Sequence, residues 1–369
     1  MNRTLLAIVL ALPACHPAAE VVVLDATDLG PIERSEAISG RDGGYSELFQ
    51  GHSVWLYGDT ILAQEGEDGE SWRNNTASWT ADLDASDGLV GFEQAEDGQG
   101  APLEILPRTD EEASFNDAHA GDDCDEQPCG ARYAVWPMDM VVDHDRDRAL
   151  MFYTKIYGEP GEWNFYGVGI GLAEWTVLEE GPVRPVANEG AEFPTMLFEE
   201  SMGSFGDAAV IESDKLYAFG CDHPDEAFKR CRLARADLDE VFDRDAWSFL
   251  TADGAWSSDF ADADVLFQGN NQMSVHYNSH LGRWVAIYAG LLSDEARMRT
   301  APALEGPWSR EVTLFEAEEQ LEKDDLLYCV LGHPEHQRED GRYEYVSYFH
   351  TTGDWQDEIR LVEVELDAP

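Results

Sequence analysis

Two aspartates early in the chain stand where a pair of acids could act together. One lies in Gly40-Arg41-Asp42-Gly43-Gly44-Tyr45-Ser46, the other in Gly58-Asp59-Thr60. Asp42 opens one strand-like segment and Asp59 closes the next, and an antiparallel hairpin returns the second carboxyl group to the end on which the first sits. Like charges crowded at one rim raise at least one carboxyl pKa, which suits a general acid working beside an ionised partner. Cleavage of a glycosidic bond needs such a pair. The same register in later segments selects Asp139 in Pro137-Met138-Asp139-Met140, Asp207 in Phe205-Gly206-Asp207-Ala208, Gln272 after Asn270-Asn271, and His333 in Leu331-Gly332-His333-Pro334. Any single aspartate at a strand start is better explained as an acceptor for turn amides. The recurrence is what points to a site.

The elements that must position these residues follow a two-strand pattern: a short strand, a polar turn, then an apolar aromatic strand. The second strands are Ser53–Asp59, Ala149–Thr154, Lys215–Gly220, Arg283–Tyr288 and Tyr343–Phe349, and weaker outer strands follow at Thr76–Thr80, Gly167–Ala173 and Arg297–Ala301. Their starts lie roughly 60 to 95 residues apart, a spacing of propeller blades. Aromatic and β-branched strands bounded by Gly, Asp and Asn turns, with almost no helical periodicity, predict an all-β, five-bladed β-propeller over residues 31–369. Residues 91–131 read as a long, acidic, partly mobile insertion at its rim. Either the Val21-Val22-Val23-Leu24 run or the alternating segment Ile359–Leu366 closes the ring as an outer strand. Inner strands of a propeller start around its axis, so Asp42, Asp139, Asp207, Gln272 and His333 are expected as a ring at the mouth of the central channel, with Asp59 beside Asp42.

The first residues have another purpose. Met1-Asn2-Arg3, the apolar run Leu5–Leu12 and Leu12-Pro13-Ala14-Cys15 form a signal peptide over residues 1–14. Leu-x-Ala-Cys resembles the bacterial lipobox, which implies lipidation of Cys15 and a tether over residues 15–30. The alternative is an ordinary secretory signal cut near Ala18 or Ala19. Both readings export the protein, as an outer-membrane or cell-surface lipoprotein or as a secreted one, with any membrane attachment resting on the lipid alone. In an oxidising compartment Cys124 with Cys129 and Cys221 with Cys231 each close a short loop as a disulfide, and Cys329 is left as a core thiol.

The formal net charge is −51 at pH 7, with 75 acidic against 24 basic residues scattered along the whole chain. Lysine is confined to Lys155, Lys215, Lys229 and Lys323. Such a surface repels nucleic acid and anionic lipid, so neither is expected as a partner. Asp143-His144-Asp145-Arg146-Asp147 and Asp82–Gly88 space carboxylates as calcium loops do, but lack the full EF-hand pattern and read as turns. His333 and His336 are too few for a dedicated zinc site. No cofactor is called for; calcium stays open, without a specific motif behind it. Gly-x-Ser-x-Gly, His-Glu-x-x-His and phosphate-loop motifs are all lacking, which disfavours the chemistries built on them. Most tryptophans belong to the core, while Trp136 and Trp163 sit beside loops where an aromatic face could stack on a sugar ring.

Several of these motifs, Asp42-Gly43-Gly44-Tyr45-Ser46, Trp55-Leu56-Tyr57-Gly58-Asp59-Thr60, Asn75-Thr76-Ala77, Arg299-Thr300-Ala301-Pro302 and Gly306-Pro307-Trp308-Ser309, resemble the bacterial domain-of-unknown-function family 4185. The resemblance runs from about Ser39 to the end. It implies a five-bladed propeller related to furanosidase-like glycoside hydrolases, some members being endo-D-arabinanases, and it implies that Asp42 and Asp59 are the catalytic acids. Arg41, Ser46, Asn75, Asp139, Asp207, Gln272 and His333 are then candidates for supporting or substrate-binding roles. The reading taken forward is a monomeric cell-surface glycosidase acting on a furanose-containing, arabinan-like polysaccharide. The alternative is a non-catalytic surface propeller that binds glycan or protein.

Overall fold

A computed structural model describes residues 21–161, 163–225, 228–318, 327–353 and 356–368, with backbone only at 223–225 and 228. The segment expected to be a signal peptide, residues 1–14, and the expected lipidation site Cys15 lie outside the described residues.

Five sheets succeed one another in chain order, each an antiparallel meander. The first contains Ile38–Phe49, His52–Leu62, Thr76–Thr80 and Glu93–Gln94, with Trp72–Arg73 pairing beside them. The second contains Arg132–Asp143, Arg148–Gly158, Phe165–Trp175 and Met196–Glu199. Ala208–Glu212, Ser274–Asn278 and Leu331–Gly332 are the inner strands of the third, fourth and fifth. Each inner strand neighbours the next around the axis, so the sheets are blades of a five-bladed β-propeller. Both candidate closing segments belong to the last blade. Gln356–Asp367 is its third strand, and Val22–Pro31 pairs antiparallel outside it, joining the two ends of the chain in one sheet.

The second strands read as continuous apolar runs because both their faces are packed. In the first blade Val54 and Leu56 face the second blade, while Trp55 and Tyr57 face the fifth, and all four are fully buried. The period-2 alternation of a strand thus feeds two different cores. The same holds for Leu150 and Phe152 against Ala149, Met151 and Tyr153. One hydrophobic cluster lies at each of the five blade interfaces. Truncating a side chain such as Trp55 to alanine should destabilise the ring by about 3–5 kcal/mol.

The 91–131 segment supplies the outermost strand of the first blade and then a helix, Asp110–His119. Thr109 and Glu112 form a capping box at its start. Glu112 is buried and receives Lys155 Nζ at 2.8 Å and Arg184 Nη1 at 2.6 Å, which fastens the insertion to the second blade. The paired cations hold the Glu112 carboxyl down at about 2 despite its burial. Both acidic loops are turns: Asp143 is bound by Arg146 and Arg148, and the Asp82 and Asp84 carboxylates accept backbone N–H groups two residues on. Cys124–Cys129 and Cys221–Cys231 are disulfides, and Cys329 is a buried free thiol. Among the described residues no helix is long and apolar enough to cross a membrane.

Candidate active site

Asp42 does not open its strand but interrupts it. It falls inside Ile38–Phe49, where the pairing with His52–Leu62 slips on both sides of Gly43. Such bulges re-aim a side chain. Gly43 and Gly44 supply the backbone this needs, with φ of +93° and +113°. Gly58 supplies the space: a Cβ there would lie 2.6 Å from Asp42 Oδ1. The residues around Asp42 and Asp59 in both strands are buried, yet each of these two is partly exposed.

The two acids are neighbours. The Asp59 backbone N–H donates to the Asp42 carboxylate. Burial, then the charge of Asp59, then that of Asp357, push the Asp42 carboxyl well above the ordinary carboxylate range. Burial also raises Asp59, but its Oδ1 accepts the indole N–H groups of Trp72 at 2.8 Å and Trp136 at 3.1 Å, both of which favour the ionised form. Trp136 comes from the second blade, so the site straddles two blades. Arg41 is buried with its guanidinium 3.6 Å from the centre of the Tyr57 ring. Cys329 and Tyr328 approach from the fifth blade, where the charge on Asp42 adds to burial in raising both groups.

The remaining members of the expected ring are employed differently. Asp139 Oδ2 accepts the Ala209 N–H of the third blade at 2.7 Å, and Oδ1 accepts that of Met140 at 2.9 Å. Asp207 takes the Cys221 N–H at 3.0 Å, the Ser204 hydroxyl at 2.5 Å, and the Gln272 N–H of the fourth blade at 3.3 Å. Gln272 therefore enters through its backbone. The Ser274 hydroxyl accepts the Gly332 N–H of the fifth blade at 2.7 Å. These bonds lace the second blade to the third, the third to the fourth and the fourth to the fifth. Burial raises Asp139 to about 8 and Asp207 to about 7.

His333 is not at the mouth. The inner strand of the fifth blade is only Leu331–Gly332, so His333 lies past its end, opposite Tyr345. There it is fully buried, stacked on Trp55 at 4.2 Å and bonded to Ser46 Oγ at 2.6 Å and Ser347 Oγ at 2.8 Å. Burial holds it neutral, with its pKa down at about 3. Ser46 also donates to Glu335, which together with His336 holds Ser53. Asn75 is likewise buried: its carbonyl accepts the Ile105 and Leu106 N–H groups and its amide donates to Val135, bracing the insertion. The groups that sequence reasoning did not tie to Asp59 are Trp72 and Trp136, which reach it from separate strands. Among the described residues no group of three or more His, Cys, Asp or Glu is arranged to hold a metal.

The family described as Domain of unknown function (DUF4185) matches residues 18–353, and the chain belongs to it. No curated protein matches the chain. Among solved structures it is similar to a Bacteroides ovatus protein provisionally described as a hydrolase, at 14% identity and a TM-score of 0.58, covering 90% of this chain and 87% of that one. It is also similar to the GH43_1 enzyme from Xanthomonas citri, at 13% identity and 0.50, covering 91% and 90%. A family 117 glycoside hydrolase from the marine bacterium Zobellia galactanivorans matches at 10% identity and 0.50, covering 95% and 91%. At these identities the likeness is one of fold: a propeller of the kind that glycoside hydrolases use.

Proposed function

We propose that this member of the family is a glycoside hydrolase that cleaves a furanose-containing, arabinan-like polysaccharide, with Asp42 as general acid and Asp59 as its ionised partner. The observation that carries this reading is the pair itself: two adjoining, partly exposed carboxyl groups whose surroundings push their protonation states apart. Asp42 keeps its proton at a pH where Asp59, held by two indole N–H groups, has lost its own. Asp42 then gives that proton to the glycosidic oxygen as the C–O bond breaks, and the sugar chain leaves as an alcohol. Asp59 acts at the anomeric carbon, either by attacking it or by taking a proton from the attacking water. One water is consumed for each bond cleaved.

The furanose substrate follows the resemblance of the sequence motifs. The two disulfides support action outside the cytoplasm, and the lipobox-like Cys15 supports a lipid anchor there. The test is to incubate mature protein, and the Asp42→Asn/Asp59→Asn double variant, with arabinans, galactans and arabinogalactan and to analyse released oligosaccharides by chromatography. Release from at least one polymer by the wild type, and none by the variant, is expected. No product from the wild type on any of them counts against hydrolysis, and retention of a glycan without cleavage favours a binding propeller.

A further inference from the structure

Trp163 departs from the pattern of the other tryptophans. Trp55, Trp175, Trp247 and Trp308 are at most 1% exposed, whereas Trp163 is 81% exposed. Its backbone lies in the left-handed region, at φ +55°, which a bulky side chain rarely adopts without compensation. The turn that holds it is closed by the Glu159 N–H on the Asn164 carbonyl at 2.9 Å and by the Asn164 amide on the Pro160 carbonyl at 3.3 Å. An indole kept in water by a backbone that resists the conformation is costly twice over, and such local strain concentrates at functional positions.

The ring does not stand alone. Trp163 lies 6.3 Å from Phe165, itself 45% exposed, and Phe165 meets Trp136 edge-on at 5.4 Å. Trp136 donates its indole N–H to Asp59. A line of aromatic rings therefore runs from solvent to the acid pair. Beside it opens a groove of about 590 Å³, lined by Phe165, Thr154, Glu200, Ser201, Ser204 and Asn271; the oxygens of Thr154, Glu200 and Ser201 suit hydroxyl groups, while the Asn271 amide already donates to Ser204 Oγ at 2.7 Å. The Asp222 carboxylate on its wall is already paired with Arg230 and Arg232. With a net charge of −51, nothing there favours a polyanion.

We propose that Trp163, Phe165 and Trp136 form a stacking rail that guides a polysaccharide lacking acidic sugars along this groove to Asp59, an inference that rests on the hydrolase reading for its catalytic end. Stacking of sugar rings on aromatic faces contributes alike to bound substrate and to transition state, so the rail acts on affinity more than on the bond-breaking step. Trp163→Ala and Trp163→Ala/Phe165→Ala are surface changes and should fold as the parent does, which a melting curve checks.

The experiment measures two things on the full mature chain. Affinity gel electrophoresis of Asp42→Asn, with and without Trp163→Ala, reads binding to arabinan, arabinogalactan, galactan and polygalacturonate. Hydrolysis by the wild type and by Trp163→Ala reads kcat and KM on whichever neutral polymer is cut. The rail predicts that Trp163→Ala weakens neutral-polymer binding about tenfold and raises KM about equally, with kcat little changed. Equal binding and equal KM in the variant overturn the rail while leaving the hydrolase reading intact. Binding that Trp163→Ala abolishes, in a wild type that cuts nothing, upholds the rail and removes the hydrolase reading. No binding to any neutral polymer, or tighter binding to polygalacturonate than to all of them, also overturns it.

Discussion

Asp42 and Asp139 both look like aspartates placed on the inner strand of a blade, and the molecule uses them in opposite ways. Asp139 donates nothing to solvent-side chemistry: its two oxygens are taken by backbone N–H groups of its own blade and the next. Asp207 repeats that arrangement one blade further on. Asp42 sits in a double bulge, partly exposed, with a second carboxyl group beside it and indole donors holding that neighbour. The pairs are alike in being buried enough to raise their pKa values. They differ in what their oxygens can still reach, and that separates an acid that closes a ring from one that can meet a substrate.

The contrast can be broken at several points, the largest effect lying at the rim. Asp42→Asn should lower hydrolysis about a thousandfold, the scale of a lost general acid, with little change in melting temperature. At the axis the effect moves to stability: Asp139→Ala or Asp207→Ala strands buried N–H groups and should cost about 1–3 kcal/mol in chemical denaturation. The pH dependence of folding sharpens this further. Asp139 and Asp207 titrate at about 8 and about 7 in the folded chain, against an ordinary value near 3.8, so the folded state holds protons that the unfolded chain has released. Their contribution is fully present in acid and declines as pH rises from about 4 to about 8. Asp139→Asn and Asp207→Asn, which do not titrate, should flatten that decline. The smallest effect is expected at Trp136→Phe, which removes one N–H from the Asp59 anion. The acid limb of the pH–rate profile should then move upward by at most roughly one pH unit, equivalent to about 1.4 kcal/mol.

Much of the architecture was legible because a second strand packed on both faces is apolar along its length, and five such runs stand out in a chain so acidic elsewhere. Ring closure was legible only as a choice. Both terminal segments carry strand signals, and only the pairing of Val22–Pro31 with Gln356–Asp367 assigns them to one sheet. The candidate site was half legible. The hairpin spacing brought Asp42 to Asp59, but a common register assumed inner strands of equal length. The fifth blade has two residues there, which carries His333 away from the mouth and into the wall between blades. The bonds of Trp72 and Trp136 to Asp59 were not legible because they depend on a return strand and a neighbouring blade, distances that no local motif records.

The most direct test compares four single variants, Asp42→Asn, Asp59→Asn, Asp139→Asn and Asp207→Asn, in initial rate on a polymer that the wild type cleaves, each confirmed folded by its melting curve. The account predicts that the first two lose hydrolysis while remaining as stable as the wild type, and that the last two retain it. Wild-type rates in Asp42→Asn and Asp59→Asn, or loss of activity confined to folded Asp139→Asn and Asp207→Asn, would contradict it.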